Sequence, residues 1–173
     1  EGPWLAFLKG NEKDSKVLDL WGIRWAEKAP KPVRLVKTSD LVAADKITLS
    51  EEERMANERK RVRHRGITSY HWCGRGGTKL LFPLSGRLYL VDVTGKGKNR
   101  VRAIGPKGPK LDVKCSPRGT WVSYVHKGNL YTVRVADGKV LKRTQGAHAS
   151  RRFSVAEFIA QEEMGRYYGH KWS

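Results

Sequence analysis

The stretch Cys73–Val93, CGRGGTKLLFPLSGRLYLVDV, and the stretch Cys115–Val135, CSPRGTWVSYVHKGNLYTVRV, align without a gap at an offset of 42 residues. Cys73 falls on Cys115, Gly77 on Gly119, Phe82 on Tyr124, Leu88-Tyr89 on Leu130-Tyr131 and Val93 on Val135. An ungapped internal repeat constrains a fold strongly, because both copies must build the same supersecondary unit and bury it against its neighbour. An earlier copy is visible in GPWLAFLKG and LDLWGI, where Phe7 precedes Phe82 by 75 residues.

Each copy reads as short strands. A Gly-rich turn leads into an apolar run, Leu80 to Leu84 or Trp121 to Val125. A tight turn follows, Ser85-Gly86 or Lys127-Gly128, and then a second run, Leu88 to Val93 or Leu130 to Val135. Strands of this composition bounded by Gly, Asn and Asp indicate antiparallel sheet. A period of about 40 to 45 residues with four strands per unit marks a β-propeller blade. The expected fold is therefore mainly β: a partial propeller of about three four-stranded antiparallel blades, near 1–36, 66–105 and 111–146, with two short helical insertions. Tyr89 and Tyr131 should occupy equivalent positions in neighbouring sheets.

The insertions lie near 50–65 and 153–169. Both fall after the last strand of one unit and before the first strand of the next, so both should emerge on one face, near its central opening. The first holds SEEERMANERKRVRHRG, Ser50 to Gly66. Ser50 and Glu53 form a capping box, glutamates fill the first turn, and arginines crowd the last, which predicts a helix over 51–64. Its arginines read either as a solvated face or as a site for a carboxylate pair or another anion. The second holds VAEFIAQEEMGRYYG, in which Phe158, Ile159 and Met164 have helical spacing, predicting helix within 156–168. On a helix, adjacent side chains diverge by only about 100°, so Glu162 and Glu163 can converge on one small cation. Two neighbouring carboxylates repel each other unless a cation lies between them. A primary ammonium, with one charge and three donors, fits that place. Two solvated glutamates on a helix face are the other reading.

The 173-residue chain carries 35 Lys and Arg against 17 acids, a net charge of +18 with pI near 10.2. Such a balance favours polyanion partners, RNA or a ribonucleoprotein among them. The stretch GKGKNRVRAIGPKGPK has no acidic residue, and its Lys96, Lys98, Arg100, Arg102, Lys107 and Lys110 are the candidate phosphate contacts. An ordinary surface loop is the alternative. Two cysteines in 173 residues are no disulfide framework, and free thiols are expected. The five histidines lack zinc spacing, no phosphate loop or G-x-S-x-G elbow occurs, and no metal or cofactor is called for. No apolar run approaches the roughly 18 residues that span a bilayer. The opening Glu1-Gly2-Pro3 runs straight into Trp4-Leu5-Ala6-Phe7-Leu8, so further chain is expected upstream and the compartment is not legible.

AEFIAQEEMGRYYGHKWS resembles the double-glutamate segment of dipeptidyl peptidase IV-type enzymes, of the prolyl oligopeptidase family of serine peptidases. ERKRVRHRGITSYHW, Glu58 to Trp72, is similar to their arginine-bearing helix and the strand after it, and LAFLKG, LLFPLSGRLYLVD and SPRGTWVSYV are similar to blades of their eight-bladed N-terminal propeller. The resemblance covers nearly the whole chain in consistent order. It implies that Glu162 and Glu163 hold the free α-amino group of a peptide, and that Arg59 or Arg61 assists. It implies an α/β-hydrolase domain, in the same or a companion chain, that supplies the catalytic serine, and it implies a homodimer and a periplasmic or cytosolic setting. No catalytic residue is assigned within this chain. Departures from the family pattern are Gly165 where Asp follows the glutamates, His170 and Lys171 where Tyr and Trp are usual, and Arg118 in place of a turn acid.

Overall fold

The computed structural model describes the chain except residues 1–3, 27, 44–45, 48–53, 55–56, 59–62, 96–99, 149 and 167 and the side chain of Phe158. Strands β1 (Trp4–Gly10), β2 (Val17–Arg24) and β3 (Val33–Val36) form the first sheet, with β4 (Arg65–Gly66) on the same edge of β2 as β3. Next comes β5 (His71–Trp72), β6 (Lys79–Leu84), β7 (Arg87–Asp92) and β8 (Val101–Ile104), a sheet in simple sequential order. The third sheet is β9 (Leu111–Cys115), β10 (Trp121–His126), β11 (Asn129–Arg134) and β12 (Val140–Lys142), again sequential. Two short helices, α1 (Thr38–Leu41) and α2 (Phe158–Glu162), complete the described elements. This is the mainly β, blade-like architecture that the repeat predicts.

The repeat holds at the level of register. Phe82 pairs with Tyr89 across β6 and β7, and Tyr124 pairs with Tyr131 across β10 and β11. Both pairs stack, with ring centroids 5.4 and 5.7 Å apart. Each hairpin closes through two residues of positive φ, Ser85 (48°) and Gly86 (72°), then Lys127 (46°) and Gly128 (72°). That is the two-residue turn whose twist matches antiparallel strands.

Alternation along each strand divides the side chains between two cores. Leu80, Phe82 and Leu84 of β6 pack toward the first sheet with Leu20, Leu35 and Ile67. Leu81 of β6 and Leu88 and Leu90 of β7 face the other way, onto Val122, Tyr124 and Val133 of the third sheet. The middle sheet is thus buried on both faces, which is why LLFPL has no polar alternation. Each such large apolar side chain contributes roughly 1.5–3 kcal/mol on burial.

Three features differ from expectation. The cysteines are not free: Cys73 and Cys115 form a disulfide with Cα atoms 5.2 Å apart. Their separation of 42 equals the repeat offset, so neighbouring sheets place equivalent positions side by side. The first sheet is not wholly antiparallel, because β4 runs parallel to β2, with Arg65 opposite Val17 and Gly66 opposite Leu18. Strand β3 ends at Val36 opposite Leu20, leaving that part of the edge open to β4. Gly66 fits there at φ 83°, where a Cβ would lie 2.7 Å from the Leu18 carbonyl oxygen. Helix α1 was not legible in the sequence. It starts where the buried Asp19 carboxylate accepts a hydrogen bond from the Thr38 N–H at 2.8 Å, a long-range cap.

Of the helix expected over 51–64, Arg54, Asn57 and Glu58 are helical and most of the remainder lies outside the described residues. The helix expected within 156–168 is the shorter α2. Its buried face is not the apolar set read from the sequence: Ala156 and Ala160 are buried, while Ile159 and Met164 are exposed.

Candidate functional site

The second insertion leaves the third sheet after β12 and returns toward β9 and β10. It hangs first from the β10–β11 hairpin, where the Phe153 N–H donates to the Gly128 carbonyl at 2.7 Å. Helix α2 follows, starting at Glu157 in an extended conformation without a side-chain cap. The Gln161 side chain donates instead to the Ala156 carbonyl at 2.5 Å and fixes the first turn. At the other end Gly165 is left-handed (φ 60°) and the Arg166 N–H donates to the Ala160 carbonyl at 2.8 Å, a glycine C-terminal stop. Gly165, where the resembled family has Asp, therefore has a conformational role.

Glu162 closes α2 and Glu163 is its C-cap residue in the right-handed region, so the two carboxylates are neighbours on one turn. Both are exposed, as are Ile159 and Met164 on the same projection. Arg166 approaches Glu157 at 4.0 Å, an exposed contact of little energetic weight. Glu162 is the last residue of α2 and Glu163 follows it directly.

The base of this projection is closed twice. At Gly169 the returning chain crosses the outgoing one: a Cβ there would lie 2.3 Å from the Ser154 carbonyl carbon, so no other residue fits without a shift. Beside that crossing is a compact polar group. Asp112 on β9 accepts a hydrogen bond from the Gly169 N–H at 3.1 Å and lies 3.0 Å from His170 Nδ1. The other face of the imidazole meets Ser123 on β10, with Nε2 2.7 Å from Oγ. Lys114 pairs with Asp112 at 2.8 Å, donates to the His170 carbonyl and lies over the Tyr168 ring at 4.5 Å. Asp112 adopts φ 49°, an uncommon conformation that Asp tolerates better than most residues. Burial pushes its carboxyl upward, but the opposing contacts from His170 and Lys114 outweigh this and hold it below its ordinary value. Sequence reasoning missed this group, whose members are far apart in the chain. Its one visible signal was His170, standing where the resembled family has Tyr.

The other candidates are placed differently. Arg59 and Arg61 lie outside the described residues, as do Lys96 and Lys98. Lys107 is exposed. Arg100 donates to the carbonyls of Asp92 and Val93, and Arg102 to the carbonyl of Val135. Lys110 is only 8% exposed, and its ammonium donates to the carbonyls of Gly86, Pro106 and Gly108 at 3.1, 2.6 and 2.8 Å. It cannot serve as the surface phosphate contact expected of it. The basic stretch thus spends much of its charge on the backbone. Among the described residues no cluster of His, Cys, Asp and Glu could hold a metal ion.

Residues 74–173 match the family described as the dipeptidyl peptidase IV (DPP IV) N-terminal region. Human (Homo sapiens) dipeptidyl peptidase 8 is 28% identical over 140 residues, which cover 71% of this chain and 15% of that protein. Mouse (Mus musculus) dipeptidyl peptidase 8 is 28% identical over 141 residues, again 71% of this chain and 15% of the relative. The crystal structure of Porphyromonas gingivalis dipeptidyl peptidase 4 superposes with a TM-score of 0.48 at 16% identity, covering 86% of this chain and 21% of that one. The chain spans about 15% of the length of the curated relatives it matches.

Proposed function

The chain belongs to the family of dipeptidyl peptidase IV N-terminal regions, and from that premise we propose that it is the substrate-recognition part of a dipeptidyl peptidase IV-like exopeptidase. In this reading Glu162 and Glu163 hold the free α-ammonium of a peptide. The observation that carries it is the pair of exposed, adjacent carboxylates on the α2 turn, inside the matched region and projecting from the end of a blade-like sheet.

The chemistry follows from charge and distance. A peptide N-terminus brings one positive charge and three donors, and two carboxylates supply acceptors for them. Holding that ammonium at a fixed place sets how far along the peptide a nucleophile can reach, so the pair measures off a dipeptide. An acetylated N-terminus has lost both the charge and two donors, so it cannot take the place of the ammonium. The nucleophile itself belongs to an α/β-hydrolase domain, in the same or a companion chain. Arg59 or Arg61 is the proposed counter-charge that keeps the two carboxylates ionised side by side.

Single alanine replacements test the assignment. Glu162→Ala and Glu163→Ala should each weaken binding of the dipeptide Ala-Pro by about 10- to 150-fold, the loss of a charge-assisted partner worth roughly 1.5–3 kcal/mol. Binding of N-acetyl-Ala-Pro should not change. Wild-type affinity for Ala-Pro in both variants, measured by titration calorimetry, would remove the glutamates from recognition.

A further inference from the structure

Ser123, His170 and Asp112 are aligned in the order hydroxyl, imidazole, carboxylate, at 2.7 and 3.0 Å. That order is familiar from hydrolases, but here the serine is 2% exposed, in the middle of β10. A nucleophile must meet a carbonyl carbon, and this hydroxyl meets His170 and, at 3.4 Å, the Lys114 carbonyl. The imidazole is held from both edges, with Nδ1 3.0 Å from the Asp112 carboxylate and Nε2 2.7 Å from the Ser123 hydroxyl.

The location of the group tells what it fixes. Its links to the insertion run from β9 and β10 to residues 168–170, the returning leg. Seven residues before His170 stands Glu163. Together with the Gly169 crossing over Ser154, these links close the loop that carries α2. Helix α2 itself spans five residues, too short to hold a position in water unaided. The base of the loop therefore helps set where its glutamates stand, together with the packing of Ala156 and Ala160.

We propose that Asp112, Lys114, Ser123 and His170 form a latch that positions Glu162 and Glu163, and that these four are positioning residues for recognition of a peptide ammonium. The inference rests on the amine-binding reading for its consequence and on the loop geometry for its existence. The two are tested by separate readouts on the 173-residue chain.

Hydrogen exchange reads the latch. His170→Phe keeps a ring of similar size without its nitrogens, and Asp112→Asn keeps the shape and the left-handed tolerance without the charge. In both, amides of 156–169 should exchange at least tenfold faster, while those of β10 and β11 stay at the wild-type rate. If His170→Phe does not fold, Ser123→Ala replaces it, since it removes one hydroxyl from the same chain of contacts. Titration with Ala-Pro and N-acetyl-Ala-Pro reads the consequence: Asp112→Asn should lose about tenfold in affinity for the free amine and nothing for the acetylated peptide. Unchanged exchange over 156–169 in the variants overturns the latch. Equal affinity of the unaltered chain for the two peptides overturns the amine reading and with it the recognition role of the latch. Labelling of Ser123 by a fluorophosphonate would show a reactive nucleophile and contradict a purely positioning group.

Discussion

The connections that leave the second and third sheets occupy the same point in the repeat, yet they are built to opposite ends. Each hangs from the hairpin glycine of its own sheet: Gly108 N–H donates to the Gly86 carbonyl at 2.9 Å, and Phe153 N–H to the Gly128 carbonyl at 2.7 Å. The first connection, between β8 and β9, folds in on itself. Of its two lysines, Lys107 is exposed and Lys110 is buried, with its ammonium donating to three carbonyls. The second, after β12, is long enough to project. At its base it meets the half-buried charges Asp112 and Lys114 of β9, and it carries exposed carboxylates at its tip. Charge closes structure at Lys110 of the short connection and at the base of the long one, whose tip carries exposed carboxylates. A net charge of +18 hides that distinction, because composition does not say which charges are spent.

The comparison depends on one shared frame, and the disulfide fixes that frame. Replacing Cys73 and Cys115 by Ser should cost about 4 kcal/mol, the loop-closure value for a bridge of this span, read as a lower denaturation midpoint. An unchanged midpoint under reducing and non-reducing conditions would mean the sheets hold their relation without it. A smaller effect should break the short connection alone. Lys110→Ala leaves three carbonyls without their ammonium and should cost about 2–3 kcal/mol, with affinity for Ala-Pro unaltered. Loss of peptide binding in that variant would show that the two connections are not independent.

The smallest effect separates the long connection by pH. Asp112 has a carboxyl held below its ordinary value of 3.8. A depressed carboxylate contributes stability that is fully present above its ordinary value and is lost as pH falls through the lower, folded one. Protection of the 156–169 amides, taken relative to the intrinsic exchange rate at each pH, should therefore be steady from neutral pH down to about 4 and fall below it, and Asp112→Asn should flatten that response. A fall already between pH 7 and 5 would contradict the assignment to Asp112.

Much of the fold was legible because it repeats. The offset of 42 placed both hairpins, their turns and the Tyr89 and Tyr131 equivalence, all set by local alternation and turn chemistry. The short helix that ends at Glu162 was legible from its surroundings. What stayed hidden is what depends on contact between sheets or between distant segments. Two cysteines one repeat apart meet only because neighbouring sheets align their equivalent strands. Asp112, Ser123 and His170 meet only because the insertion folds back across Gly169. Lys110 reads as a surface lysine until the carbonyls around it are placed. The buried face of α2 was not legible, because the small Ala156 and Ala160 are buried while Ile159 and Met164 remain exposed.

Recognition of a free peptide ammonium by Glu162 and Glu163 is the central claim, and the affinity ratio of the unaltered chain for Ala-Pro over N-acetyl-Ala-Pro tests it most directly. One charge-assisted partner corresponds to a ratio of roughly 10 or more in favour of the free amine, and that is the predicted result. A ratio of one, with both peptides bound or neither, would contradict it.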